Sequence, residues 1–242
     1  MRNVYLIARR ELQGFFLGFS GYLILAAYLL ASGLLFNLFA VGDREKFSRQ
    51  VLEDYFFQTS GLVMIMAVLL AMRLIAEEKQ TQSFVLLRTS PVSEREIVLG
   101  KFLSAVAVLA ISLAASAYLP ALILVNGKIS FSHVAVGYLG LLLLGAASIA
   151  IALLASVWFS SQFMAGAVGG LMIAVLLVAW MAGRVSEAPL KELLTYVALH
   201  NLHFRTFSNG IPHVRDVVYY LGVTLFFLEC AARSLESWKW RP

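Results

Sequence analysis

Ile129–Gly183 reads ISFSHVAVGYLGLLLLGAASIAIALLASVWFSSQFMAGAVGGLMIAVLLVAWMAG, 55 residues without a formal charge. A helix crossing the hydrocarbon of a bilayer needs about 20 mostly apolar residues. The stretch is therefore too long for one crossing and right for two. Its natural break is Trp158-Phe159-Ser160-Ser161-Gln162, an aromatic and polar cluster suited to a hairpin at a membrane surface. Two successive crossings of this kind decide the class: an all-α integral membrane protein. An outer-membrane barrel is excluded, because its strands alternate apolar and polar residues and these runs are continuous.

The flanking sequence agrees. Of 242 residues, 60% are apolar and 14% charged, whereas soluble domains run at about 45–50% and 25%. That excludes a soluble enzyme and a disordered chain. Further charge-free windows lie at Gly14–Gly42, Tyr55–Met72 and Phe102–Gly127, with a short one at Val217–Leu228. The short one spans only if its helix runs on to about Arg233, where Glu229 and Arg233, four apart, share a face and pair. The expectation is one domain over 1–242 with six spans near 20–40, 57–76, 102–125, 134–157, 163–183 and 217–233. With both termini cytoplasmic, the inside segments hold 11 Lys and Arg and the outside segments 8, the sign that topology demands. Trp238 and Trp240, interleaved with Lys239 and Arg241, read as an interfacial anchor.

Residues 1–19 read as an interfacial helix rather than a cleavable signal. Val4, Ala8, Leu12, Phe15 and Phe19 recur at helical spacing, Arg2, Arg9 and Gln13 lie opposite, and Glu11 falls awkwardly near the apolar face. Arg2, Arg9 and Arg10 are the expected membrane-surface contacts.

Catalytic patterns are missing. Gly100-Lys101 is followed by Phe102 and Gly127-Lys128 by Ile129, so neither is a phosphate-binding loop. There is no His-Glu-x-x-His and no Gly-x-Ser-x-Gly. The expectation is no enzyme, no cofactor and no metal. The net charge of +5 is scattered along the chain, which argues against nucleic acid. Cys230 is the single cysteine, so no disulfide framework exists. His200 and His203, three apart, make a metal site conceivable, but loop histidines with ordinary hydrogen bonds are the preferred reading. The small residues of the third, fourth and fifth spans, among them Gly137, Gly140, Gly145, Gly166 and Gly170, let backbones approach. They serve either intrachain packing, the preferred reading, or a subunit seam.

The loop at 77–101 carries the most information. Ser93-Glu94-Arg95-Glu96 is a capping box ahead of an apolar run, so the third helix starts near Ser93. Thr89-Ser90-Pro91 breaks whatever precedes it. Between them stand Phe84, Val85, Leu86 and Leu87, apolar residues in polar surroundings that either dock a partner or lie flat on the membrane. At the other end, 185–216 is too apolar for a solvated loop. Pro189 opens a short helix whose apolar face is Leu190, Leu193, Leu194, Val197 and Ala198, and Asn209-Gly210 reads as a turn.

At Glu77-Glu78-Lys79, Leu86-Leu87-Arg88-Thr89-Ser90-Pro91-Val92-Ser93 and Glu96-Ile97-Val98-Leu99-Gly100-Lys101 the chain resembles ABC-type export permeases, most nearly those of the gliding-motility and nitrous-oxide-reductase-maturation type. A second block, His203-Phe204, Phe207, Gly210-Ile211 and Arg215-Asp216-Val217-Val218-Tyr219-Tyr220, agrees. The resemblance implies an N-terminal elbow helix plus six spans, paired with a second permease, identical or related, on two ATPase subunits in a bacterial inner membrane. It implies a coupling helix near Gln82–Thr89, with Phe84, Leu87, Arg88, Thr89 and Pro91 at the ATPase. This chain has Gln82-Ser83 and Val85 where the family often carries Gly-Thr and an acidic residue. It also implies that the outer segment, with Leu194, Val197 and Gly210, packs on protein and caps the pathway, and it leaves room for an extracytoplasmic accessory protein. The function expected is the permease subunit of an ATP-driven export complex. The alternative is a membrane scaffold that passes ATPase-driven motion to an extracytoplasmic partner without transport.

Overall fold

The computed structural model describes residues 2–41, 47–82, 92–123, 129–187 and 190–237, and these are helical with no strand among them. Six helices are long and apolar enough to cross a membrane: Gly21–Phe39, Ser48–Gln80, Glu94–Ile123, Phe131–Trp158, Gln162–Val185 and Val214–Ser237. The protein is a multi-pass membrane protein. The elements are α1 (Arg2–Leu17), α2 (Phe19–Leu35, continued by a wider turn over Phe36–Val41), α3 (Ser48–Leu74), α4 (Ala76–Gln80), α5 (Glu94–Ala115), α6 (Tyr118–Ile123), α7 (Phe131–Trp158), α8 (Gln162–Val185), α9 (Leu190–Val197), α10 (Phe204–Ser208) and α11 (Val214–Ser237).

Local chemistry sets several of these boundaries. The turn between α7 and α8 falls at 159–161, inside the aromatic and polar cluster. Ser93 caps α5 as a complete capping box: its hydroxyl accepts from the Glu96 amide while the Glu96 carboxylate accepts from the Ser93 amide. The third crossing is broken at Ser116-Ala117, just before Pro120, which cannot donate a backbone hydrogen bond. The Ser116 hydroxyl donates to the Leu113 carbonyl at 2.8 Å, returning a hydrogen bond at the break.

The core is built around α7, which packs against α3, α5, α8 and α11 and is buried along nearly its whole length. Its glycines are points of close approach: a Cβ on Gly137 would strike Phe56, one on Gly140 Phe207 and one on Gly145 Leu109, all within 2.5 Å. The packing reading holds for these three. Gly170 faces open space, so it does nothing for packing within the chain. Because crossings alternate in direction, α1, α4, the start of α5, the 159–161 turn and the end of α11 share one end of the bundle, here the terminal end. The segment 186–213 lies at the other, the cap end.

Candidate functional site

At the terminal end a lysine is buried among carboxylates. Lys101, in the second turn of α5, has no exposed surface. Its ammonium lies 3.0 Å from Glu11 of α1 and 2.9 Å from Glu78 of α4. Arg10 reaches the same two carboxylates at 3.2 and 3.1 Å. Two cations thus alternate with two anions, and this reciprocal pairing is what makes a buried ammonium tolerable. Glu11, the misfit on the apolar face of α1, is placed there to meet Lys101. Arg10 does more than touch a membrane surface, whereas Arg2 and Arg9 are exposed. The approach of α1 to α5 requires Gly100, where a Cβ would stand 2.8 Å from the Ile7 side chain.

A second joint lies alongside. Between α3 and α4 the chain breaks at Ile75, and the amides of Ile75 and Ala76 both donate to Ser156 Oγ of α7, at 3.1 and 3.0 Å. The same hydroxyl donates to the Met72 carbonyl at 3.3 Å, so its hydrogen-bonding capacity is filled. The Lys79 ammonium donates to the Val157 carbonyl. On the far side Glu229 takes Arg95 at 2.7 Å and Arg233 at 3.0 Å, the second being the pair expected from spacing. A hollow of about 410 Å³ lies between α1, α2, α3 and α5, with apolar walls such as Phe15 and Leu70 and a charged rim at Arg10 and Glu77. Phe84, Leu87, Arg88, Thr89 and Pro91, the expected coupling residues, lie outside the described residues. The structure does place their flanks: α4 before them carries Glu78, and α5 after them carries Lys101.

The cap end is held differently. Asp216, fully buried at the start of α11, accepts from His203 Nδ1 at 2.8 Å and from the Thr206 hydroxyl at 2.8 Å, with Arg215 at 3.6 Å. The other ring nitrogen of His203 donates to the Tyr196 carbonyl at 2.9 Å. Its ring stacks on that of Tyr219 with centroids 3.7 Å apart. His200, three residues earlier, is held by a hydroxyl instead. Its Nε2 meets Ser60 Oγ at 2.6 Å, and that hydroxyl's proton goes to the Phe57 carbonyl. Ser60 therefore accepts from Nε2–H, and burial pushes the imidazole below its ordinary pKa. His133 Nε2 donates to the Ser208 carbonyl at 2.7 Å. The histidines are structural hydrogen-bonding groups that the helical spacing alone did not assign.

Irregular backbone near membrane depth must have its polar groups satisfied by protein. Here the Tyr219 hydroxyl donates to the Val197 carbonyl at 2.7 Å and the Tyr220 hydroxyl to the Leu199 carbonyl at 2.9 Å. The Leu199 amide donates to the Leu176 carbonyl of α8 at 3.2 Å. Gly210, at φ +77°, turns the chain beneath His133, where any Cβ would fall 2.8 Å from the ring.

The face of α9 expected to pack on protein is divided, with Ala198 at its end fully buried. Leu194 is half-buried, but Val197 is 40% exposed and Leu193 61%. Gly183 at the end of α8 admits Thr195 and the Lys191 carbonyl against its backbone, while the Lys191 and Glu192 side chains are exposed. The buried residues follow at the end of α9: Ala198, Leu199 and His200.

A family model described as ABC-2 family transporter protein matches residues 20–228 of the chain. No curated protein matches it.

Proposed function

Since the chain belongs to the ABC-2 family of transporter proteins, and so is the permease component of an ABC transporter rather than a catalyst itself, we propose that it serves in export. In this reading two copies of a separate ATPase subunit drive it, it pairs with a second permease, identical or related, and it sits in a bacterial inner membrane with the terminal end in the cytoplasm. Within the family it falls with permeases of the gliding-motility and nitrous-oxide-reductase-maturation kind.

One observation carries the proposal: the Lys101 cluster. The ATPase docks on Phe84–Pro91, and both flanks of that segment hold members of the cluster, Glu78 before it and Lys101 after it. Glu11 and Arg10 extend the same cluster to α1. A push on the segment therefore reaches the N-terminal helix and the third crossing through the charge pairs of its two flanks. ATP binding then biases the permease between conformations by its different contacts with the segment in each.

Leu87→Glu tests this. An unpaired carboxylate at an apolar docking surface costs about 3–5 kcal/mol of association. The ATPase is expected to co-purify at least a hundredfold less well, with helix content and membrane insertion unchanged. Undiminished co-purification would remove the segment from the interface. In reconstituted vesicles, ATP turnover that moves α9 and α10 with no solute crossing would replace transport by the scaffold reading.

A further inference from the structure

In the cap-end half of the bundle hydroxyls converge from four crossings: Tyr28 of α2, Tyr55 and Thr59 of α3, Ser116 at the break after α5, and Tyr138 of α7. Tyr55 and Tyr138 each stand about two turns below the first residue of their helix, so the group lies well inside the crossing length. Three of its members form a chain whose direction is fixed. The Ser116 proton goes to the Leu113 carbonyl at 2.8 Å. Ser116 must then accept from the Tyr138 hydroxyl at 3.3 Å, and Tyr138 from the Tyr55 hydroxyl at 3.2 Å. Every proton of the chain is committed, and its head, the Tyr55 oxygen, is left with acceptor capacity only.

Tyr28 and Thr59 stand beside this chain and outside it. Tyr28 is 4% exposed and Thr59 not at all. Tyr28 turns toward Ser116 and Tyr55, and Thr59, one turn on from Tyr55 along α3, turns toward Tyr55. Neither hydroxyl makes a hydrogen bond among the described residues. A buried polar group is ordinarily paired with protein or with ordered water, and lipid supplies no partner. The third crossing is broken here, at Ser116-Ala117, and broken crossing helices are repaired by side chains and by water. The two contacts made by Tyr138 exceed the usual O–H···O spacing of about 2.7–2.8 Å, so these hydroxyls are set apart rather than closed on one another.

Two uncommitted donors thus face one open acceptor. The group that completes them must accept twice and donate once. A metal cation can only be donated to, and would meet two protons. An anion has no proton for Tyr55 and would be a buried charge without a counter-charge. Water does both, and its usual number of partners is about three. We propose that a single water molecule is bound at this point, accepting from Tyr28 and Thr59 and donating to Tyr55, and so joining α2 to the chain that links α3, α7 and α5. The site goes beyond the transport reading and needs neither the ATPase nor a transported solute.

The sign of a hydroxyl deletion tests it. Tyr28→Phe and Thr59→Val remove the two donors with little change of shape, and the full-length chain is unfolded by heat in detergent. If water joins the hydroxyls, each single variant is expected to melt about 2–4 °C lower than wild type. The double variant, which leaves no donor stranded, is expected to lose less than the sum. A melting temperature unchanged or raised in Tyr28→Phe overturns the site, because deleting an unpaired buried hydroxyl relieves a cost. Additive losses overturn it too, since two hydroxyls on one water cannot act independently. Tyr22→Phe, at an exposed tyrosine of the same helix, is the control, and an equal loss there overturns the assignment to the buried cluster. A density map of the wild-type chain that shows ordered water decides the matter if a variant fails to fold. One peak within hydrogen-bonding distance of the Tyr28, Thr59 and Tyr55 oxygens is expected; no peak there, or direct bonds among the three hydroxyls, overturns the proposal.

Discussion

The two ends of the bundle solve the same problem, fastening a short segment to crossing helices, with different chemistry. At the terminal end the fasteners are long charged side chains. Arg10, Glu11, Glu78 and Lys101 make four contacts of 2.9–3.2 Å in which each partner has an alternative. At the cap end the fasteners are aromatic and imidazole groups donating to particular backbone carbonyls, those of Tyr196, Val197, Leu199 and Ser208. An ion cluster tolerates a change of geometry, because an ammonium attracts a carboxylate from many directions. A hydrogen bond to a carbonyl weakens steeply once misaligned. The terminal end is thus built to shift while staying joined, and the cap end to keep one shape.

The comparison breaks most readily at Asp216. Asp216→Asn alters the buried carboxyl that meets both His203 and Thr206, and breaking a buried pair by changing one partner costs about 3–5 kcal/mol. Thermal unfolding in detergent should show the largest drop of any single polar substitution at either end; an unchanged melting temperature would mean that the Asp216 contacts do not hold the cap end. Lys101→Met comes next. Glu11 and Glu78 keep Arg10 and some solvent, so the loss is smaller, about 2–3 kcal/mol. Removing Glu11 as well, in Lys101→Met/Glu11→Gln, should recover part of it. If the double variant is the worse of the two, the cluster is not a reciprocal network.

Acid sharpens the contrast. His200 is neutral in the folded state because burial depresses its pKa, whereas an unfolded histidine titrates near about 6.5. The unfolded state then binds more protons as the pH falls below that value, so stability is full above it and declines below it. Hydrogen exchange at pH 5.5 should be faster for the amides of 198–201 than at pH 7.5, after correction for intrinsic rates. Ser60→Ala should shift this response. The smallest effect is expected at Glu229, exposed and shared by Arg95 and Arg233. Such surface pairs contribute little, and Glu229→Gln should leave the melting temperature within error; a clear drop would give this rim a structural role like that of the buried cluster.

What the sequence revealed and what it hid divide along a physical line. The crossings, the turn at 159–161, the Ser93 capping box and the Glu229–Arg233 pair depend on residues close in the chain, where spacing alone fixes the geometry. Lys101 was hidden because its partners Glu11 and Glu78 are 90 and 23 residues away, though Glu11 on an apolar face was a visible misfit. The His203–Asp216 contact was hidden because its members are 13 residues apart in an irregular segment. For α9 the periodicity found the stripe without fixing which of its members meet protein: Ala198 is buried and Leu193 exposed. In water an apolar face must turn to protein. Beside a bilayer lipid is equally apolar, so small residues such as Gly183 decide instead.

The order in which a chain is made adds a consequence to the position of α11. It is the least apolar of the six crossing helices, and it carries both Asp216 and Glu229. It is also the last to emerge from the ribosome. By then His203, Thr206 and Arg95 have all been synthesised, so these two carboxylates each have a partner already waiting. The first crossing, α2, has no such reception, and it carries no formal charge at all between Phe19 and Val41. Transplanting α11 to the front of the chain would keep every contact of the finished fold and remove the conditions under which its last helix can be inserted.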